Sequence, residues 1–246
     1  IFSPIVKKTT QTLFLVAPLM LLSACLPEDK EDTKPISNEG GSVNNSTLSL
    51  NGFWDGGFNQ DESLRVLIFN GNAYGINAEK AFYGTVTAES ETDINLSLQG
   101  AAFSYEDSTN DEYVASGRAL TYTIEASFFA YDDLEIAGSF DTNSTGPFGE
   151  LNMVNDSTYT TPSSLNSLTG LWSTTNYQLK IDKLGNFIIQ DTSESGCYSK
   201  GTLKIIDSTK SLLKVTLNRK RCDDFNGDST GYAAINADGQ LEFYSK

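Results

Sequence analysis

From about residue 48 onward, apolar and polar positions alternate with a period of two. Leu120, Tyr122, Ile124, Ala126 and Phe128 alternate with Thr121, Thr123, Glu125 and Ser127. Leu213, Val215 and Leu217 are spaced by Lys214 and Thr216, and Ile94, Leu96 and Leu98 by Asn95 and Ser97. Each stretch turns one face to a core and the other to water, as antiparallel strands do. Turn signals separate the runs: Phe69-Asn70-Gly71-Asn72, Lys183-Leu184-Gly185-Asn186, Asn226-Gly227-Asp228 and Ala237-Asp238-Gly239. No stretch after Cys25 carries a sustained helical period. The expected fold class is all-β.

The strand pattern runs twice. Leu50-Asn51-Gly52-Phe53-Trp54 matches Leu168-Thr169-Gly170-Leu171-Trp172, and Gly71-Asn72 matches Gly185-Asn186. Gly84-Thr85-Val86 matches Gly201-Thr202-Leu203, and Leu96-Ser97-Leu98 matches Val215-Thr216-Leu217. These landmarks keep one order at nearly one offset, and the chain's two tryptophans both fall in the same motif. The pattern predicts two related antiparallel β-barrel or β-sandwich domains, 48–160 and 165–246, joined by Thr160-Thr161-Pro162-Ser163-Ser164. Both indoles are expected in the core near the start of a first strand. Extra strands and loops are expected in the first domain between Ser104 and Asp133. The linker predicts independent domains, so that damage to one leaves the other intact.

The amino-terminal segment follows a different logic. Lys7-Lys8 precede an apolar core, Leu13-Phe14-Leu15-Val16-Ala17-Pro18-Leu19-Met20-Leu21, which ends in Leu22-Ser23-Ala24-Cys25. Charge, a short apolar run and small residues before a cut are the parts of a secretory signal. The run between Lys8 and Cys25 is short of the about 20 apolar residues that span a bilayer. Leu22-Ser23-Ala24-Cys25 resembles the lipobox of bacterial lipoproteins. That resemblance implies a signal peptide over 1–24, cleavage before Cys25 and acylation of its thiol. More than one acyl chain gives stable anchoring. Residues 25–47, rich in Pro, Asp, Glu, Ser, Asn and Gly, then form a flexible acidic tether. Leu26 rather than aspartate follows the cysteine, and in the family that points to the outer membrane.

Composition narrows the chemistry. The chain has 17 Lys+Arg against 32 Asp+Glu; loss of Lys7 and Lys8 with the signal leaves −17. Such a balance excludes a nucleic-acid partner, whose phosphates demand basic residues. The absence of histidine removes Ser-His-Asp and Cys-His catalysis and histidine-ligated zinc. With Cys25 assigned to lipid, Cys197 and Cys222 remain as the candidate disulfide of an oxidising compartment. It would contribute about 3 kcal/mol in the second, smaller domain. The competing role, a redox-active pair, normally has C-x-x-C spacing.

Other motifs suggest sites. Gly52-Phe53-Trp54 and Gly170-Leu171-Trp172 resemble the Gly-x-Trp signature of lipocalins and related calycins. There the tryptophan closes one end of an up-and-down barrel; the arginine that the family sets against it cannot be placed here. Asp224, Asn226 and Asp228 have the oxygen-ligand spacing that opens a calcium loop, but Ser229 and Ile235 stand where an EF-hand has glycine and glutamate. The same spacing suits a polar hairpin tip. Asp132, Asp133 and Glu135 follow the aromatic run Phe128-Phe129-Ala130-Tyr131 and are the candidate carboxylates for a glycan hydrolase. Eleven tyrosines suit either strands or a recognition surface. The expectation is a non-enzymatic outer-membrane lipoprotein without cofactor, held to the membrane by lipid and binding an envelope or surface protein. The alternatives are a calycin-type carrier of a small apolar ligand and a carboxylate-dependent hydrolase of envelope glycans.

Overall fold

Gly52 and Gly170 each open a strand whose third residue is a tryptophan sealed from water. Trp54 Nε1 donates to the Leu50 carbonyl at 3.0 Å, and Trp172 Nε1 to the Leu168 carbonyl at 2.8 Å. The same four-residue reach satisfies both buried indole donors, as burial demands. The computed structural model describes residues 6–8, 49–59, 62–77, 80–105, 113–115, 120–130, 133–142, 148–174, 177–192, 196–222 and 226–245.

The described residues form seventeen strands, with only short helical turns between them. β1 is Val6–Lys8. The first unit comprises β2 (Gly52–Phe58), β3 (Glu62–Phe69), β4 (Asn72–Ile76), β5 (Lys80–Ala88), β6 (Asp93–Tyr105), β7 (Tyr113–Ala115), β8 (Leu120–Ala130), β9 (Leu134–Thr142) and β10 (Gly149–Asp156). Its sheet order is β5-β4-β3-β2-β10-β9-β8-β6, and β6 returns to β5 from Lys80↔Ala102 to Ala88↔Ile94. That pairing joins the two ends of the sheet. β7 is a hairpin extension of β6, where Phe103 pairs with Ala115. The interior is filled by Trp54, Phe58, Val66, Ile68, Phe82, Leu96, Tyr122, Ile124, Phe140 and Met153.

The second unit comprises β11 (Gly170–Ser173), β12 (Tyr177–Ile181), β13 (Asn186–Asp191), β14 (Tyr198–Ile205), β15 (Leu212–Lys220), β16 (Gly227–Ile235) and β17 (Gln240–Ser245). These strands, with β1 between β17 and β11, close a barrel. Trp172, Leu179, Phe187, Leu203, Leu213, Val215, Leu241 and Phe243 fill it. Cys197 and Cys222 form the disulfide, tying the approach to β14 to the end of β15.

The repeat extends to backbone detail. Gly71 and Gly185 turn with φ +74° and +82°, a region that favours glycine. Their carbonyls accept from Val86 N and Leu203 N at 3.0 and 2.8 Å. A Cβ at Gly84 would lie 1.8 Å from the Ser97 carbonyl oxygen, and one at Gly201 2.1 Å from that of Thr216. Both strand crossings therefore exclude any side chain at the glycine.

The expectation of independent domains needs correction. The Thr160–Ser164 connection is flanked by ordered turns: a 3₁₀ turn over Ser157–Thr160 and a short helix, α1, over Leu165–Leu168. Asp156 and Ser164 cap them, and Tyr159 is buried. The barrels are not independent. A third apolar cluster joins Phe53, Leu67 and Tyr159 to Leu212, Ala234 and Tyr244, with Phe69, Tyr74, Ile76 and Tyr232 against it. It forms because β3 runs Val66-Leu67-Ile68-Phe69, apolar on both faces, and its outer face needs a cover. Lys7 and Lys8, read above as the charged start of a signal, lie in the strand that completes the second barrel.

Trp54→Ala and Trp172→Ala should each cost about 3–5 kcal/mol, the penalty for emptying a large core site. Because the barrels share a core, calorimetry of either variant should show one transition lowered by roughly 10 °C. Two separate transitions, only one of them shifted, would return the barrels to independence.

Candidate functional site: the groove between the barrels

The junction gathers the molecule's most constrained charges around Arg65. β3 directs Leu64, Val66 and Ile68 into the first barrel, so alternation sends Arg65 outward, toward the second barrel. Its Nε donates to Glu242 Oε2 at 2.8 Å and to Tyr244 Oη at 3.2 Å. Its Nη1 donates to both oxygens of Asp55, at 2.8 and 2.7 Å, and to Asp156 Oδ2 at 2.9 Å. The guanidinium carbon lies 5.0 Å from the Phe53 ring centroid. Phe53 in turn stacks on Tyr244 and meets Tyr159 edge-on.

Each acid is held from a second side. Tyr244 Oη donates to Glu242 Oε2 at 2.7 Å, and Asn236 Nδ2 donates to Glu242 Oε1 at 3.0 Å. Thr158 donates to Asp156 through its backbone N–H at 2.8 Å and its hydroxyl at 2.7 Å. Asn236 Oδ1 accepts from Asp238 N and Gln240 N, so the β16–β17 turn and the ionic cluster share one side chain. The Glu242 side chain is 4% exposed, those of Asp156 and Arg65 13% and 15%, and that of Asp55 52%. Among the described residues Arg65 Nη2 is buried without a partner.

These contacts set the titration of the groups. Burial opposes charge on Arg65, but Tyr244, Glu242 and Asp55 outweigh it and hold the guanidinium more firmly protonated than usual. Burial also opposes charge on Asp156, and there the Thr158 and Arg65 bonds prevail and lower it below the ordinary carboxylate range. Burial, then Glu242, pushes Tyr244 well above its ordinary value. Burial, then Tyr232 and Tyr83, pushes Tyr74 up to about 12.

Beside this cluster opens a groove of about 500 Å³, lined by Asp55, Arg65, Val154–Ser157 and Asn236–Asp238. Its carboxylates face a permanent cation. Acid catalysis requires a carboxyl held protonated near neutrality, and Asp156 is moved the other way. The arrangement is a clamp of three carboxylates on one guanidinium, which leaves the groove net acidic.

The residues singled out in the sequence lie elsewhere. Cys25, Asp132 and Asp224 fall outside the described residues. Asp133 is exposed, and Glu135 accepts from Asn152 at 2.7 Å. Asn226 accepts from the Cys222 amide and Asp228 from Asn218, so both hold the hairpin together. Among the described residues no group of three or more His, Cys, Asp or Glu is gathered to hold a metal ion. Among the described residues the tyrosines do not form one recognition surface. Tyr122, Tyr159 and Tyr244 are buried, and Tyr74 and Tyr232 pack into the junction.

The clamp has a pH window whose sign follows from these shifts. Asp156, lowered in the fold, contributes stability that is present above about pH 4 and lost on acidification through that range. Tyr74 and Tyr244, raised in the fold, contribute stability that is present below about pH 10 and lost as pH rises beyond it. The melting temperature should fall on both sides of this window, and Tyr244→Phe should flatten the alkaline side. An alkaline limb unchanged in that variant would remove Tyr244 from the clamp. Comparison with known protein families, with curated proteins and with solved structures finds no match.

Proposed function

We propose that this protein is an outer-membrane lipoprotein whose two docked barrels act as one non-enzymatic binding or structural module at the cell envelope. The observation that carries this reading is the filling of both barrels. Aromatic and branched side chains occupy the interiors, where a carrier of apolar ligands needs a pocket of roughly 300–1,000 Å³. The recess at the Leu50 mouth of the first barrel, lined by Ile68, Val86 and Ala88, holds only about 230 Å³. The groove carboxylates Asp55 and Asp156 are engaged by Arg65, which argues against glycan hydrolysis. Function then rests with the outer surface, presented on the tether of residues 25–47.

The resemblance of Leu22-Ser23-Ala24-Cys25 to a lipobox supports this localisation. Cys25→Ser should abolish incorporation of labelled fatty acid and release the protein from the membrane fraction. A variant that stays membrane-bound with an uncleaved leader would replace the lipid anchor with a transmembrane one.

A further inference from the structure

The two repeats are closed by different parts of the chain. In the first barrel, β10 lies between β9 and β2, antiparallel to both. In the second, the equivalents of β9 and β2 are β17 and β11, and the strand between them is β1. The registers coincide position by position. Asn155 of β10 pairs with Trp54, and Lys8 pairs with Trp172. Val154 pairs with Asp55 and Glu135, the residues that follow Trp54 and precede Ile136; Lys7 pairs with Ser173 and Gln240, which follow Trp172 and precede Leu241. Met153 pairs with Ile136, and Val6 with Leu241. An extended segment from outside the repeat thus seats in a slot with the ladder geometry of an internal strand.

The slot has a charged neighbour. Gln240, at one wall, lies two residues from Asp238, which lines the groove with Asp55 and Asp156. Residues 48–160 carry 3 basic and 18 acidic side chains, a field that draws positively charged segments toward the junction. The seated segment contains Lys7-Lys8.

We propose that the gap between β11 and β17 is a strand-acceptor site, filled in the processed protein by an extended basic segment of another envelope protein. This rests on the lipoprotein reading, because cleavage before Cys25 removes β1 and leaves two facing strand edges. Unpaired edges are ready templates for a further strand, and main-chain hydrogen bonds supply much of the affinity in such pairing. The tether contains Glu28-Asp29-Lys30-Glu31-Asp32, whose charge is of the wrong sign for a neighbour of the acidic groove.

The test uses the protein purified from membranes, its start fixed by intact mass. It is titrated with a synthetic peptide of residues 1–12 and with the same peptide carrying Lys7→Pro, which removes a ladder donor. Saturable one-to-one binding, a rise in melting temperature and about tenfold weaker binding of the proline peptide are expected. A protein beginning at Cys25 that binds neither peptide, or both equally, overturns the slot and leaves the anchor standing. Peptide binding only after deletion of residues 26–47 makes the tether the occupant and overturns the partner. A purified protein that retains residues 1–24 overturns both anchor and vacated slot.

Discussion

One guanidinium ties the two barrels together across their junction. Arg65 leaves the first barrel on the outer face of β3 and binds Asp55 and Asp156 of its own unit and Glu242 of the other. Removing Glu242, Asp156 and the guanidinium from water costs several kcal/mol per buried ion, and only close pairing and added hydrogen bonds offset it. The cluster has those additions in Thr158, Tyr244 and Asn236. Its position explains why these acids act as a joint: Asp55, Asp156 and Glu242 all bind one guanidinium whose own charge is fixed. The apolar cluster around Phe53, Leu67 and Tyr244 supplies the area, and the clamp sets the register in which the barrels meet.

Much of the fold was legible in the sequence because strand physics writes itself in a period of two. The alternations at Ile94–Leu98, Tyr122–Phe128 and Leu213–Leu217 are all strands with their apolar residues buried or packed inward. The duplication was legible for a stronger reason. Gly84 and Gly201 admit no Cβ, and Trp54 and Trp172 need a carbonyl four residues back, so both copies keep the same letters in the same places. The disulfide followed from there being two cysteines beyond Cys25.

The junction was not read, though it left a trace. Val66-Leu67-Ile68-Phe69 breaks the alternation, and an uninterrupted apolar run signals a strand covered on both faces. What alternation cannot show is which surface provides the cover. Pairing Arg65 with Glu242 spans 177 residues and depends on how two closed barrels dock, which no local pattern encodes. The strand at Val6–Lys8 was hidden for a related reason: its partners β11 and β17 lie at the far end of the chain. Thr160–Ser164 reads as a linker, and Tyr159 just before it packs edge-on against Phe53 at the junction.

The claim that the barrels act as one body is tested most directly by a double-mutant cycle on Arg65 and Glu242, followed by denaturant unfolding. Arg65→Met should cost about 3–5 kcal/mol, since it leaves a buried carboxylate without its cation. Adding Glu242→Gln should restore a large part of that loss, giving a coupling energy of about 1–3 kcal/mol. Additive losses, or an Arg65→Met variant within about 0.5 kcal/mol of the parent, would show that the seam holds without the clamp and contradict the account.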